Sequence, residues 1–102
     1  MNTEILGAGN LVINRFFALD TRAYEPGALD VKTKELLGLV ASLVLRCDDC
    51  VTYHLTRCAE ERVTRAEIFE SVSVALIVGG SIVIPHLRRA VDRWSELEKL
   101  GG

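Results

Sequence analysis

From Leu39 to Arg62 the chain contains neither glycine nor proline, and its apolar residues show no alternation that would suit a strand. Local preference alone would allow a continuous helix of about 30 residues here, roughly 45 Å long. A chain of 102 residues cannot hold such a rod and stay compact, since a domain of that size has a radius of gyration of about 13 Å. The run must fold back on itself. Cys47-Asp48-Asp49 is the predicted break, because aspartate caps helices. A helical hairpin at the middle of the chain follows from compactness rather than from local propensity.

The rest of the sequence agrees with a helical fold. Ile5, Leu6, Val12, Ile13, Phe16, Phe17 and Leu19 give residues near 3–20 one broad apolar face. Tyr24-Glu25-Pro26-Gly27 is a turn, and Asp30 suits the N-cap of a second helix from Val31 to about Arg46. That helix is apolar nearly all round, which predicts a central, buried position. A third helix is expected from about Asp48 to Arg62, and Thr64-Arg65-Ala66-Glu67 has the form of a capping box opening a fourth. The fourth ends at Gly79-Gly80. A fifth begins near Ser81, where Pro85 is tolerated only in the first turn, and runs as an amphipathic stripe through Trp94 to Leu100. The fold class is all-α: a single domain over residues 1–102 built from about five helices.

Charge and composition exclude several partners. Twelve Lys+Arg against fourteen Asp+Glu leave a net charge of −2, with both signs interspersed. No basic face is available for nucleic acid. The 49% hydrophobic content is high for a domain that leaves about a third of its unfolded-chain surface exposed, so a homo-oligomer is expected. The start lacks a basic n-region and apolar h-region, so no secretory signal is visible. Ser71 to Leu87 carries no Asp, Glu, Lys or Arg, yet Gly79-Gly80-Ser81 and Pro85 interrupt it. Two buried helices meeting at a glycine turn account for it, not a membrane span. Three cysteines make a poor disulfide framework, and a cytoplasmic location is expected.

The chemistry concentrates in Glu35, Cys47, Cys50 and His54. In a helix, Cys47 and Cys50 are i,i+3 neighbours with Cβ atoms about 5–6 Å apart, near enough for a disulfide after small adjustment. Cys50 and His54 are i,i+4, so the imidazole can reach the thiol directly or through one water. The hairpin brings Glu35 opposite the turn around residues 57–59, one turn from His54. A carboxylate, an imidazole and a thiol can then form a proton relay, in which the imidazole takes the thiol proton and the carboxylate steadies the imidazolium. The positive end of the third helix favours thiolate there, whereas Asp48 and Asp49 oppose it.

Glu35, eleven residues, Cys47-Asp48-Asp49-Cys50, three residues and His54 resembles the active-site motif of alkylhydroperoxidase D, within the carboxymuconolactone decarboxylase family. Leu29 to Leu36 before the motif, and Thr64-Arg65-Ala66-Glu67-Ile68 and Gly79-Gly80 after it, extend the likeness over about residues 28–85. The resemblance implies an alkylhydroperoxidase D-like helical bundle assembled into trimers or hexamers, with thiol-dependent reduction of a hydroperoxide. It implies Cys50 as the peroxidatic thiol, Cys47 as the resolving thiol, His54 as proton acceptor and Glu35 as its orienting partner. An external dithiol or thiol protein would serve as reductant, with no cofactor. Asp48-Asp49 departs from the founding alkylhydroperoxidase, which carries a histidine next to the second cysteine.

Other readings stand beside this one. Cys58 is expected in the core, and His86 as a cap or interface residue. Cys47, Cys50, His54 and Cys58 are four soft ligands, but on one helix they span about 16 Å and cannot all meet one metal ion. Two further function classes remain: a decarboxylase-like lyase acting on a lactone or β-keto acid, and a non-catalytic redox-sensing or assembly module.

Overall fold

A computed structural model describes residues 2–101, and every regular element among them is helical. The chain divides into two compact units, Met1–Asp30 and Val31–Gly102. The first unit holds α1 (Thr3–Gly7) and α2 (Leu11–Ala23), where the sequence predicts one helix. The interruption has a local cause. Gly9 takes a φ of +74°, open to glycine without steric cost, and the Asn10 side chain then caps α2 by accepting from the Ile13 N–H at 3.0 Å.

The second unit holds α3 (Val31–Val44), α4 (Asp48–Glu60), α5 (Arg65–Gly79), a 3-10 turn over Ser81–Val83 and α6 (Ile84–Gly101). Helix α3 packs against both α4 and α5, and α4 packs against α6. Leu39 and Leu43 of α3, Leu55 and Cys58 of α4, and Ile68 and Val72 of α5 form the core, closed by Val83 and Trp94. The central place of α3 follows from its apolar character, but its burial is not complete. Two neighbours cover the Leu39–Leu43 face and leave Leu37 exposed.

The turns after α3 and after α4 are both left-handed caps carried by arginine. At the end of α3, Arg46 has φ +60°, its N–H bonds to the Leu43 carbonyl, and the Cys47 N–H bonds to the Ser42 carbonyl. The same pair of bonds recurs after α4, from Arg62 to Ala59 and from Val63 to Cys58, with Arg62 at φ +62°. These Schellman turns satisfy the last carbonyls of each helix. The break falls at the predicted segment, but its cap is the thiol of Cys47, not an aspartate: Cys47 Sγ accepts from the Cys50 N–H at 3.4 Å. Cys47 takes the extended conformation of the N-cap, so Asp48 and Asp49 already lie inside the first turn of α4.

The capping box at α5 forms reciprocally, Thr64 Oγ1 accepting from the Glu67 N–H and Glu67 Oε1 from the Thr64 N–H. Glu67 also pairs with Lys32 at 2.8 Å, tying the start of α5 to the start of α3. At the α5–α6 corner Gly80 has φ +80°, and a methyl group on Gly79 would strike the Val83 side chain. Pro85 falls in the first turn of α6, where its missing N–H costs nothing. Among the described residues, no helix is long and apolar enough to cross a membrane.

Candidate active site

The α3–α4 hairpin positions the site. Glu35 points inward from α3 and is 1% exposed. A carboxylate so buried is costly unless its charge is answered, and both oxygens have partners. Oε1 lies 2.8 Å from Nδ1 of His54, and Oε2 lies 3.4 Å from Nε of Arg57. A carboxylate only accepts, so Nδ1 of His54 carries the hydrogen and donates it. In the neutral ring, Nε2 is then left as the proton-accepting nitrogen. The residue pair thus fixes both the tautomer and the orientation of a buried imidazole.

Two residues that sequence reasoning missed complete this arrangement. Arg57, one turn beyond His54, supplies the counter-charge at Oε2. It is held more firmly cationic than a solvated arginine, first by its hydrogen bond to Glu60, with Glu35 and Glu61 adding to this against the opposing effect of burial. Gly38, one turn beyond Glu35, makes room for the ring: a Cβ there would lie 2.5–2.8 Å from Cε1, Nε2 and Nδ1 of His54. Gly38 is the lone glycine of α3, which is the signal that could have found it. The Tyr53 ring lies edge-on, its centroid 5.1 Å from that of His54.

The three cysteines are thiols in this structure and occupy distinct settings. Cys50 is exposed in the first turn of α4, while Cys47 is half-buried with its sulfur against the helix N-terminus. An N-cap sulfur meets backbone N–H donors at the positive end of the helix. Cys58 is fully buried in the core. Burial first, and then the charge of Glu35, push its thiol up to about 12, so it stays protonated and inert.

Asp48, between the two cysteines, is not simply a solvated acid. Its Oδ1 lies 2.8 Å from Nδ1 of His86, and its Oδ2 lies 3.2 Å from Nε and 3.1 Å from a terminal nitrogen of Arg89. His86, expected as a cap or interface residue, meets the first turn of α4 from α6 together with Arg89. The four sequence-predicted residues fall as two direct pairs, Glu35 with His54 and Cys47 with Cys50, on the two arms and the corner of one hairpin. No group of three or more His, Cys, Asp or Glu side chains suited to a metal ion occurs among the described residues.

Comparison with known proteins places this geometry in context. The model of the carboxymuconolactone decarboxylase family matches residues 11–93. A crystal structure of a carboxymuconolactone decarboxylase family protein from Thermotoga maritima, for which a part in an antioxidative response has been suggested, is 63% identical. It superposes with a TM-score of 0.88 over 89% of this chain and 78% of that one. A family member from Legionella pneumophila, crystallised in its apo form, is 26% identical with a TM-score of 0.76, covering 99% of this chain and 85% of that one. An uncharacterised protein of the cox locus of Paracoccus denitrificans is 28% identical over 95 residues, which is 93% of this chain and 86% of that protein.

Proposed function

Since this chain belongs to the carboxymuconolactone decarboxylase family, we propose that it is a thiol-dependent peroxidase in which Glu35, Cys47, Cys50 and His54 carry the reaction. The observation that carries the proposal is the buried 2.8 Å contact between Glu35 and His54, built at the hairpin whose corner bears the two thiols. A buried, carboxylate-directed imidazole is an expensive construction for a helix pair that leucines would stabilise as well. It gains a reason as the base for a thiol one turn away.

In the reaction, Nε2 of His54 takes the Cys50 proton, and Glu35 steadies the imidazolium. The Cys50 thiolate attacks the terminal oxygen of a hydroperoxide. The O–O bond breaks, the alcohol leaves with the proton returned by His54, and Cys50 becomes a sulfenic acid. The Cys47 sulfur then attacks Cys50, the S–O bond breaks, water leaves, and the disulfide forms. An external dithiol or thiol protein supplies two electrons and two protons, restores both thiols and departs as its own disulfide. The exposure of Cys50 supports its contact with both peroxide and reductant, and the suggested antioxidative role of the Thermotoga relative points the same way.

A homo-oligomer, trimer or hexamer, in the cytoplasm belongs to the same proposal. Its support is apolar surface that water should not face in quantity: Leu45 is 77% exposed, Ile77 85% and Val78 68%. The enzyme assay is direct. Wild-type protein should reduce an organic hydroperoxide with a dithiol, and Cys50→Ser should not. Equal rates for the two proteins would refute the assignment.

A further inference from the structure

We propose that Arg89 and His86 of α6 are positioning residues of the cysteine pair: Arg89 cancels the charge of Asp48 beside Cys47, His86 holds that carboxylate in place, and the N-terminus of α4 is left free to favour thiolate there. The role presupposes only that the pair works as thiols, as assigned above. Cys47 is the N-cap of α4, and its sulfur accepts from the Cys50 N–H. Asp48 and Asp49 follow at once in the first turn. Two carboxylates at that point oppose the helix dipole, whose N-terminal end is worth about half a positive charge. By itself the sequence leaves the contest undecided.

Helix α6 resolves it. Both oxygens of Asp48 are engaged by basic groups, Oδ1 by His86 and Oδ2 by two nitrogens of Arg89, while a terminal nitrogen of Arg89 also approaches His86 Nδ1 at 3.2 Å. These contacts cross 38 and 41 positions of sequence. The Asp48 carboxyl is accordingly held below the usual carboxylate range, first through His86 and then through Arg89. Arg89 alone returns a full positive charge to the site. Arg46, just before the cysteine pair, and Asp49, inside it, are both exposed and contribute charges of opposite sign. Exposed ion pairs add little to stability, so a tether alone is a weak account of a three-residue cluster built on the residue between the two cysteines.

Charge cancellation and tethering differ in sign, and that makes them separable. Removing Arg89 leaves Asp48 uncompensated and should raise the thiol titration; removing the Asp48 charge leaves Arg89 uncompensated and should lower it. At a few ångströms near a solvated surface each shift should be about half a pKa unit, a roughly threefold change in thiolate below the thiol pKa. The measurement is the pH dependence of iodoacetamide labelling at Cys47 and Cys50, resolved by mass spectrometry, in the intact protein. Arg89→Ala should slow labelling at neutral pH and His86→Ala, which only loosens the hold on Asp48, should slow it less, Asp48→Asn should quicken it, Asp48→Asn/Arg89→Ala should return it close to wild type, and Arg89→Lys should restore it. Shifts of the same sign in Asp48→Asn and Arg89→Ala, or none in either, would overturn the proposal. Peroxide turnover measured alongside separates the two assignments. Opposed shifts without turnover would keep the charge cluster and remove the peroxidase, and cysteine-dependent turnover with unmoved titrations would do the reverse.

Discussion

The ring of His54 lies so close to the α-carbon of Gly38 that a methyl group there would come within 2.5–2.8 Å of three ring atoms. One absent side chain on α3 is therefore a condition for the position of an imidazole on α4. Gly38→Ala should improve helix propensity by about 1 kcal/mol, but the clash should cost about 1–3 kcal/mol. Displacement of the ring is the larger consequence, since a misplacement of about 1 Å can lower a rate about 100-fold. The variant should fold, melt at or below the wild-type temperature and lose at least about tenfold in hydroperoxide turnover. A higher melting temperature with full turnover would show that His54 does not need this seat.

Glu35 is the buried charge on which the hairpin closes. Glu35→Ala leaves the Arg57 guanidinium and the His54 N–H without their acceptor, and breaking a buried pair from one side costs about 3–5 kcal/mol. For a domain whose whole stability is about 5–15 kcal/mol, that is a large fraction. Glu35→Gln keeps an oxygen facing His54 Nδ1 and should lose less stability, while still removing the charge that steadies an imidazolium. Urea midpoints should therefore rank wild type, Gln, Ala, with turnover low in both variants.

Stability should weaken on the acid side through two identified carboxylates. Asp48 is held below the ordinary carboxylate range first by His86 and then by Arg89, and Glu67 first by Lys32 and then by the Thr64 N–H. A folded-state pKa below the unfolded value means that each contribution is complete above the unfolded value, about 4, and is lost as pH falls through the folded one. Glu67→Gln should lower the urea midpoint at neutral pH, with the gap to wild type closing below about pH 4. A gap that persists in acid would exclude the Lys32 pairing as its source.

The opposite sign applies to Cys58. Its thiol is pushed up to about 12 by burial and by the charge of Glu35. Its contribution to stability is complete below the unfolded thiol value, about 8.5, and is lost as pH rises from there toward 12. Cys58→Ala should therefore lose less stability than wild type between about pH 9 and 11. In the native protein at about pH 8, iodoacetamide should modify Cys47 and Cys50 and spare Cys58 until urea unfolds the chain. Early modification of Cys58 would contradict its place in the core.

The sequence makes some of this architecture legible and hides the rest for identifiable reasons. The capping box of Thr64 and Glu67 is visible because both bonds span three residues. The hairpin corner follows from chain length, and the placing of Glu35 opposite the turn around residues 57–59, one turn from His54, follows from the corner. The split of the first helix escapes a periodicity argument, because the apolar face of residues 3–20 continues across Gly9 while the backbone does not. Cys47 as N-cap is hidden by the two aspartates beside it, which are better caps by preference. Arg57 becomes meaningful only when α3 and α4 face each other, and Gly38 shows in the sequence only as a lone glycine within α3. The engagement of Asp48 by His86 and Arg89 depends on how α6 returns to α4, and no local pattern reports it.

The central claim is that two thiols at the start of α4 form a redox pair served by a carboxylate-directed imidazole. Trapping after one equivalent of organic hydroperoxide tests it most directly, by peptide mass spectrometry with dimedone present to capture sulfenic acid. A Cys47–Cys50 disulfide should form in wild-type protein, dimedone should mark Cys50 in Cys47→Ser, and His54→Asn should slow both products. Peroxide left unconsumed with both thiols intact, or oxidation confined to Cys47, would contradict the account.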